Sequence, residues 1–256
     1  MPLISLNGID LYYESNGEGE SVTFLHGAGG NHASWWQQAP SFSQTYRCLT
    51  LDHRGFGWST DPQGKGAACF ADDLEALLDE LSIERTALVA QSMGGRTASQ
   101  FTLRHPERVS ALVMCDTLGI LAWEELSERR EKLRAERLAT AGESGALSRG
   151  YMAPGFIKNQ PEMTYLYQQV QSFNPPRADT SPQLTTRRDE LTRLSVPTLF
   201  IVGSEDPVLP TEIVREVAEA VPDAELLEFD SCGHSVYWEN APEFNRSLGS
   251  FLAKHL

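Results

Sequence analysis

No stretch of this chain approaches the ~20 consecutive apolar residues that a bilayer-spanning helix needs. Positive charge is scarce. The chain has 21 Lys and Arg against 35 Asp and Glu, a net charge of −14, which disfavours nucleic acid and anionic membranes as partners. Cysteine is scarce as well, and Cys48, Cys69, Cys115 and Cys232 fit neither a disulfide framework nor metal-ligand spacing. There is no dinucleotide-binding glycine fingerprint and no phosphate loop, so no cofactor and no metal are expected. The first residues, Met-Pro-Leu-Ile-Ser-Leu, carry neither a charged leader nor a long apolar core, and a cytoplasmic location is expected. What is present is a 256-residue chain with 41% hydrophobic residues, enough for one α/β domain with a modest insertion. Its expected partner is a small-molecule substrate, and its expected state is a monomer or homodimer.

Apolar periodicity orders the chain. Leu3 to Leu6, the turn signal Asn7-Gly8, and Ile9 to Tyr13 predict a short hairpin. Further strands are expected at 21–25, 46–51, 86–90, 109–115, 198–202 and 225–229. Leu74, Leu77, Leu78 and Leu81 recur at helical spacing within a helix from about Phe70 to Leu81. A second helix runs through Ala98, Phe101 and Leu103 and stops before Pro106. Strands alternating with helices predict an α/β fold, a mostly parallel twisted sheet with helices on both faces.

One stretch is more informative than the rest. Thr86-Ala-Leu-Val-Ala-Gln-Ser92-Met-Gly-Gly-Arg-Thr97 is an apolar run that stops at a serine, followed by two glycines and the start of a helix. A serine in such a strand-to-helix turn is pushed out of the backbone beside unpaired helix N–H groups, where an oxyanion could be held. It reads as a nucleophile elbow of the G-x-S-x-G type, with Ala90 in place of the first glycine. Other apolar runs also end in polar, glycine-bearing loops: His26-Gly-Ala-Gly-Gly30, Asp52-His-Arg-Gly-Phe-Gly-Trp-Ser59, Gly203-Ser-Glu-Asp-Pro207 and Cys232-Gly-His-Ser235. Parallel sheets gather their active sites at the carboxyl ends of strands, so one sheet edge would collect all these loops.

In these motifs the chain resembles the α/β-hydrolase family over nearly its whole length. The family order of nucleophile, acid and histidine matches Ser92, Asp206 and His234, and its His-Gly loop matches His26-Gly27. The resemblance implies an oxyanion hole made by the backbone N–H groups of Ala28 and Met93. It also implies that the insertion between core segments 1–117 and 194–256, residues 118–193, is a helical cap over the site. The charged segment 123–140 is expected to be helical. Tyr151, Phe156, Tyr165, Tyr167 and Phe173 follow it, with Pro175, Pro176 and Pro182 near the end and no obvious strand.

The residue chemistry suits these roles. A serine hydroxyl needs a base to become a nucleophile, and a histidine titrating near 6.5 can take and return that proton. Asp206 would orient and stabilise the imidazole. Asp116, at the end of another strand, and the neighbouring Glu205 are the alternatives. His26 is expected to organise its loop, and either Trp35 or Trp36 lines the pocket or packs in the core. Arg96 is expected at the surface or in a salt bridge; facing the pocket, it could bind a substrate carboxylate. His32, His53, His105 and His255 are expected to be structural or exposed. Trp238 and Glu239 are expected to begin and pack the last helix.

The simplest reaction for this constellation is hydrolysis of an ester or lactone through an acyl-enzyme. The resemblance also admits enol-lactone hydrolases and hydrolases of carbon–carbon bonds in ring-fission products. Ser-Met-Gly-Gly-Arg is similar to the elbow of a menaquinone-pathway lyase of this fold, which uses the triad to abstract a proton. Haloalkane dehalogenases and epoxide hydrolases use an aspartate where this chain has Ser92. From another class, some proteins of this fold are small-molecule receptors with little turnover.

Overall fold

The computed structural model describes residues 2–141, 151–175 and 185–256. Its centre is one eight-stranded sheet built from β1 (Leu3–Leu6), β2 (Ile9–Asn16), β3 (Ser21–Leu25), β4 (Arg47–Leu51), β5 (Thr86–Gln91), β6 (Val109–Cys115), β7 (Thr198–Gly203) and β8 (Glu225–Phe229). The spatial order is β1-β2-β4-β3-β5-β6-β7-β8. β1 and β2 form the hairpin, β2 pairs antiparallel with β4, and every later pairing is parallel. Parallel neighbours require crossovers, which is why helices separate them in the sequence.

The strand period of two sorts the core into two layers. Leu25, Leu49, Leu51, Leu88, Ala90, Leu112, Met114 and Phe200 face one side of the sheet. There they meet Leu74, Leu77 and Leu78 of helix Phe70–Glu80, Ala98 and Phe101 of helix Gly94–Arg104, and Ile213, Val214 and Val217 of helix Thr211–Ala220. Val22, Phe24, Ala87, Val89, Ala111, Val113, Leu199 and Ile201 face the other side and meet Phe244, Leu248, Phe251 and Leu252 of the last helix, Ala241–His255. Strands buried on both faces are the mark of a parallel sheet covered by helices. The predicted strands and both predicted helices appear within a residue or two, apart from β2, which runs on to Asn16.

The last helix differs from expectation. Trp238 and Glu239 close a separate single turn, Val236–Glu239, and the helix proper starts at Ala241 with Pro242 in its first turn. Proline lacks the N–H that would continue the preceding turn but is tolerated at a helix start.

Between β6 and β7 the described residues form helices Glu124–Ala141, Pro154–Asn159, Pro161–Ser172 and Arg188–Leu191, with no strand among them. Pro176 and Pro182 lie outside the described residues. This inserted segment touches each of the glycine-bearing loops around Ser92. Asn31 donates to the Val170 carbonyl (2.8 Å), and Asn174 donates to the Gly30 carbonyl (3.0 Å). Arg137 reaches the Asp206 carbonyl (3.2 Å), and the His234 N–H donates to the Tyr151 carbonyl (3.1 Å).

Candidate active site

Ser92 stands at the turn between β5 and the helix Gly94–Arg104 with φ of +47°, a left-handed conformation that a non-glycine residue adopts under local strain. The neighbours hold it there. A Cβ at Gly94 would overlap the Leu25 carbonyl, so the helix start can lie against β3 only because that position is glycine. Ala90 is fully buried in the core beside Leu25 and Met114, and its extra methyl leaves the elbow intact.

The serine hydroxyl lies 2.9 Å from His234 Nε2, and His234 Nδ1 lies 2.7 Å from Asp206 Oδ2. The other oxygen of Asp206 accepts from the N–H groups of Val208 (2.7 Å) and Leu209 (3.0 Å), which fixes the carboxylate's plane. Burial alone would lower the imidazole pKa. The charge of Asp206 and its hydrogen bond, helped by Asp116 and Glu239, instead hold it above the usual histidine value. Asp116 does not reach His234 by a hydrogen bond in this arrangement. Its two oxygens accept from Gly203 N–H (3.1 Å) and Val236 N–H (3.0 Å), tying the end of β7 to the turn after His234. Burial and the nearby Asp206 push its carboxyl up to about 7, against the opposing effect of His234. Glu205 is exposed.

Two supports for the histidine loop were not legible in the sequence. Glu239 accepts from Gly233 N–H (3.0 Å), Ser235 N–H (3.1 Å) and Ala153 N–H (2.8 Å). Gln91, next to the nucleophile position, donates to the His234 carbonyl (2.8 Å). Only a glutamate a few residues past a loop histidine could have hinted at the first.

The loop after β3 turns sharply, with Gly30 N–H donating to the Gly27 carbonyl (3.0 Å). Gly27 lies against Gln91 and Ser92, where a side chain would collide with both. His26 is buried within this loop. Its Nδ1 pairs with the Gly27 carbonyl (2.8 Å), and its Nε2 accepts from His53 N–H (3.0 Å). Asp52 accepts from the backbone N–H (2.6 Å) and Nδ1 (2.8 Å) of His32 and from Trp58 N–H (2.9 Å). Arg54 makes two 2.6 Å bonds to Asp73, a buried fork-to-carboxylate pair. The 52–59 string is thus scaffolding that braces the loop beside the site.

A cavity of about 430 Å³ opens over Ser92. Ala28, Met93, Arg96 and His234 line it, with Leu118, Gly119, Val208 and Leu209, and from the insertion Arg130, Glu131 and Arg134. Ala28 and Met93 thus line the cavity beside Ser92, and Arg96 faces the pocket rather than bulk solvent. The tryptophans do not. Trp35 is 0% exposed and packs on Phe24 and Tyr237 in the core, where its ring buries most apolar area. Trp36 is 45% exposed and leans its edge on Trp238. His26 and Gly27 stand behind the lining rather than in it.

Among the described residues, no group of His, Cys, Asp and Glu is placed to hold a metal ion, and no helix is long and apolar enough to cross a membrane. Burial pushes the thiols of Cys48 and Cys232 up to about 12 and raises that of Cys115 well above the usual thiol value, so these cysteines are not competing nucleophiles.

Comparison with known proteins agrees with this architecture. The chain is 31% identical to a 2-hydroxymuconate semialdehyde hydrolase of Pseudomonas putida, over 93% of this chain and 89% of the other. The structure of Est816, an N-acyl homoserine lactone degrading enzyme, superposes with a TM-score of 0.82 at 30% identity, covering 98% of this chain and 100% of that one. A thermophilic esterase from Thermogutta terrifontis also gives 0.82, at 26% identity and 99% and 97% coverage. The alpha/beta hydrolase fold family matches residues 20–241. With that match over most of its length, and with its mostly parallel eight-stranded sheet, the chain belongs to the α/β-hydrolase fold family.

Proposed function

We propose that this hydrolase cleaves a carboxylic ester or lactone of a small molecule through an acyl-enzyme on Ser92. The observation that carries this reading is the hydrogen-bonded chain from Ser92 through His234 to Asp206 at the floor of a cavity. His234 Nε2 takes the proton of the Ser92 hydroxyl as its oxygen attacks the substrate carbonyl. The oxyanion of the tetrahedral intermediate is held by the backbone N–H groups of Ala28 and Met93, the latter at the start of the elbow helix where N–H groups and the helix dipole favour negative charge. Collapse releases the alcohol, which receives its proton from His234. Water then attacks the acyl-enzyme, giving its proton to His234, and the serine is restored. Asp206 keeps the imidazole in the tautomer that accepts from serine and stabilises its cation. The inserted helices act as a cap whose contacts hold the loops of the site together, and a volume of about 430 Å³ suits a small molecule.

The elbow, the triad and the cavity are equally compatible with hydrolysis of other activated carbonyl compounds. The Pseudomonas putida relative, named for 2-hydroxymuconate semialdehyde, is the reason to include a ring-fission product among the trial substrates. Hydrolysis of a chain-length series of p-nitrophenyl esters, with Ser92→Ala in parallel, tests the proposal. Many turnovers by the natural chain and none by the variant are expected. Equal rates from both would overturn it.

A further inference from the structure

The part of the cavity lining that the insertion supplies is unusual for so acidic a protein. Along helix Glu124–Ala141 the partly or fully buried positions among the described side chains follow helical spacing: Leu126, Ser127, Arg130, Leu133, Arg134 and Arg137. An inward helical stripe normally carries apolar residues. Here three of the six are arginines. The Arg130 side chain is only 12% exposed, and Arg130 and Arg134 both line the cavity. Arg137, one turn further on, is committed to the Asp206 carbonyl and Glu212.

Arg96 lines the same cavity, from the first turn of the helix that begins behind Ser92. One carboxylate, Glu131, pairs with both Arg130 (2.9 Å) and Arg134 (3.3 Å) and neutralises only part of their charge. Asp116 does not make up the difference, since its oxygens are taken by the N–H groups of Gly203 and Val236. The described lining is therefore net cationic within a chain of net charge −14. The planar forks of guanidinium groups match a carboxylate.

We infer that Arg96, Arg130 and Arg134 form an anion subsite that receives a carboxylate on the substrate, remote from the carbonyl that Ser92 attacks. The preferred substrate is accordingly a half-ester or lactone of a small dicarboxylic acid, and the free diacid is its product. This inference rests on the hydrolase reading for the reaction but not for the binding.

The test compares the mono-p-nitrophenyl ester of adipic acid with p-nitrophenyl hexanoate, which has the same chain length and no charge. The expected kcat/KM ratio is at least about tenfold in favour of the carboxylate ester, falling with added salt. Arg96→Gln and Arg134→Gln should each reduce that ratio severalfold, and Arg134→Glu should invert it, with circular dichroism confirming folded protein. A ratio near one, or a high ratio that survives these substitutions, overturns the inference while leaving the esterase reading intact. Calorimetric titration of the full chain with adipate keeps the question open to a decision if neither ester is hydrolysed. Saturable binding weakened about tenfold or more by Arg134→Glu supports the subsite, and no binding refutes it.

Discussion

Glu239 holds the loop of His234 without touching the imidazole, accepting hydrogen bonds from the backbone N–H groups of Gly233 and Ser235 on either side of it. The same carboxylate accepts from Ala153, the first residue before helix Pro154–Asn159 of the insertion. A single half-buried carboxylate thus couples the inserted segment to the loop of His234.

Replacing Glu239 by glutamine leaves one accepting oxygen where three N–H groups now converge on two. Hydrogen bonds to a charged group contribute about 1.5–3 kcal/mol each, so a loss of about 2 kcal/mol in urea unfolding is expected. Turnover of a good ester should drop more than KM rises, because the histidine is displaced rather than the pocket. Unchanged stability and unchanged kcat in Glu239→Gln would show that the loop does not depend on this carboxylate.

Asp206 and Asp116 can be told apart by mutation. Asp206→Asn should lower kcat by roughly 10³- to 10⁴-fold, the cost of losing the correct histidine tautomer. Asp116→Asn should cost far less in kcat, since Asp116 braces Gly203 and Val236 rather than the ring. Steady-state kinetics on both variants decide the matter, and the opposite order of effects would make Asp116 the acid.

The pH dependence has a defined sign. His234 must be neutral to accept the serine proton, and its pKa is held above 6.5, so kcat/KM should rise with pH through an inflection above that value. The negative charge of Asp116 is among the groups raising it, and Asp116→Asn should move the inflection down. A kcat/KM profile flat from pH 6 to pH 9 is incompatible with this base.

Stability should run the other way. Asp116 and Glu239 are pushed up to about 7, by burial in the first place, from 3.8 and 4.5, and His234 is raised from 6.5. All three bind protons more tightly folded than unfolded. Their contribution is complete below the unfolded values and is lost as pH rises through the folded ones, at most about 1.4 kcal/mol per pH unit for each group. Urea unfolding free energy should therefore fall between pH 5.5 and pH 8, with a shallower slope in Glu239→Gln. An identical slope in the variant would remove Glu239 from the account of that fall.

Gly94→Ala should damage the fold itself. The added methyl meets the backbone carbonyl of Leu25, which cannot rotate away as a side chain could. A loss of about 1–3 kcal/mol, typical of overpacking, is expected in denaturant unfolding, along with reduced turnover because Ser92 is two residues away. A variant as stable and as active as the natural chain would show that the elbow tolerates a side chain there.

Much of this was legible in the sequence because the signals are local. Alternating apolar runs place the strands, and the loops that close them carry Ser92, Asp206 and His234 to one sheet edge. The choice between Asp206 and Asp116 was not local. Both end strands, and only the fold shows that Asp206 reaches Nδ1 while Asp116 serves two backbone N–H groups. Trp35 and Trp36 follow the His26 loop in sequence, yet the short helix His32–Trp35 sends one into the core and leaves the other half exposed. Glu239 acts through backbone groups, which leave no mark in a sequence. Arg130 and Arg134 sit among glutamates in a segment that the sequence marks only as a charged helix, and its place beside the cavity over Ser92 gives them a pocket to line.

The most direct measurement of the central claim is covalent trapping with diethyl p-nitrophenyl phosphate, followed by intact-mass and peptide mass spectrometry. One phosphoryl adduct per chain is expected, on the peptide carrying Ser92, with stoichiometric p-nitrophenol release, loss of esterase activity and no adduct in Ser92→Ala. Esterase activity that survives with Ser92 fully modified, or a reactive residue elsewhere, would contradict the assignment of Ser92 as the nucleophile.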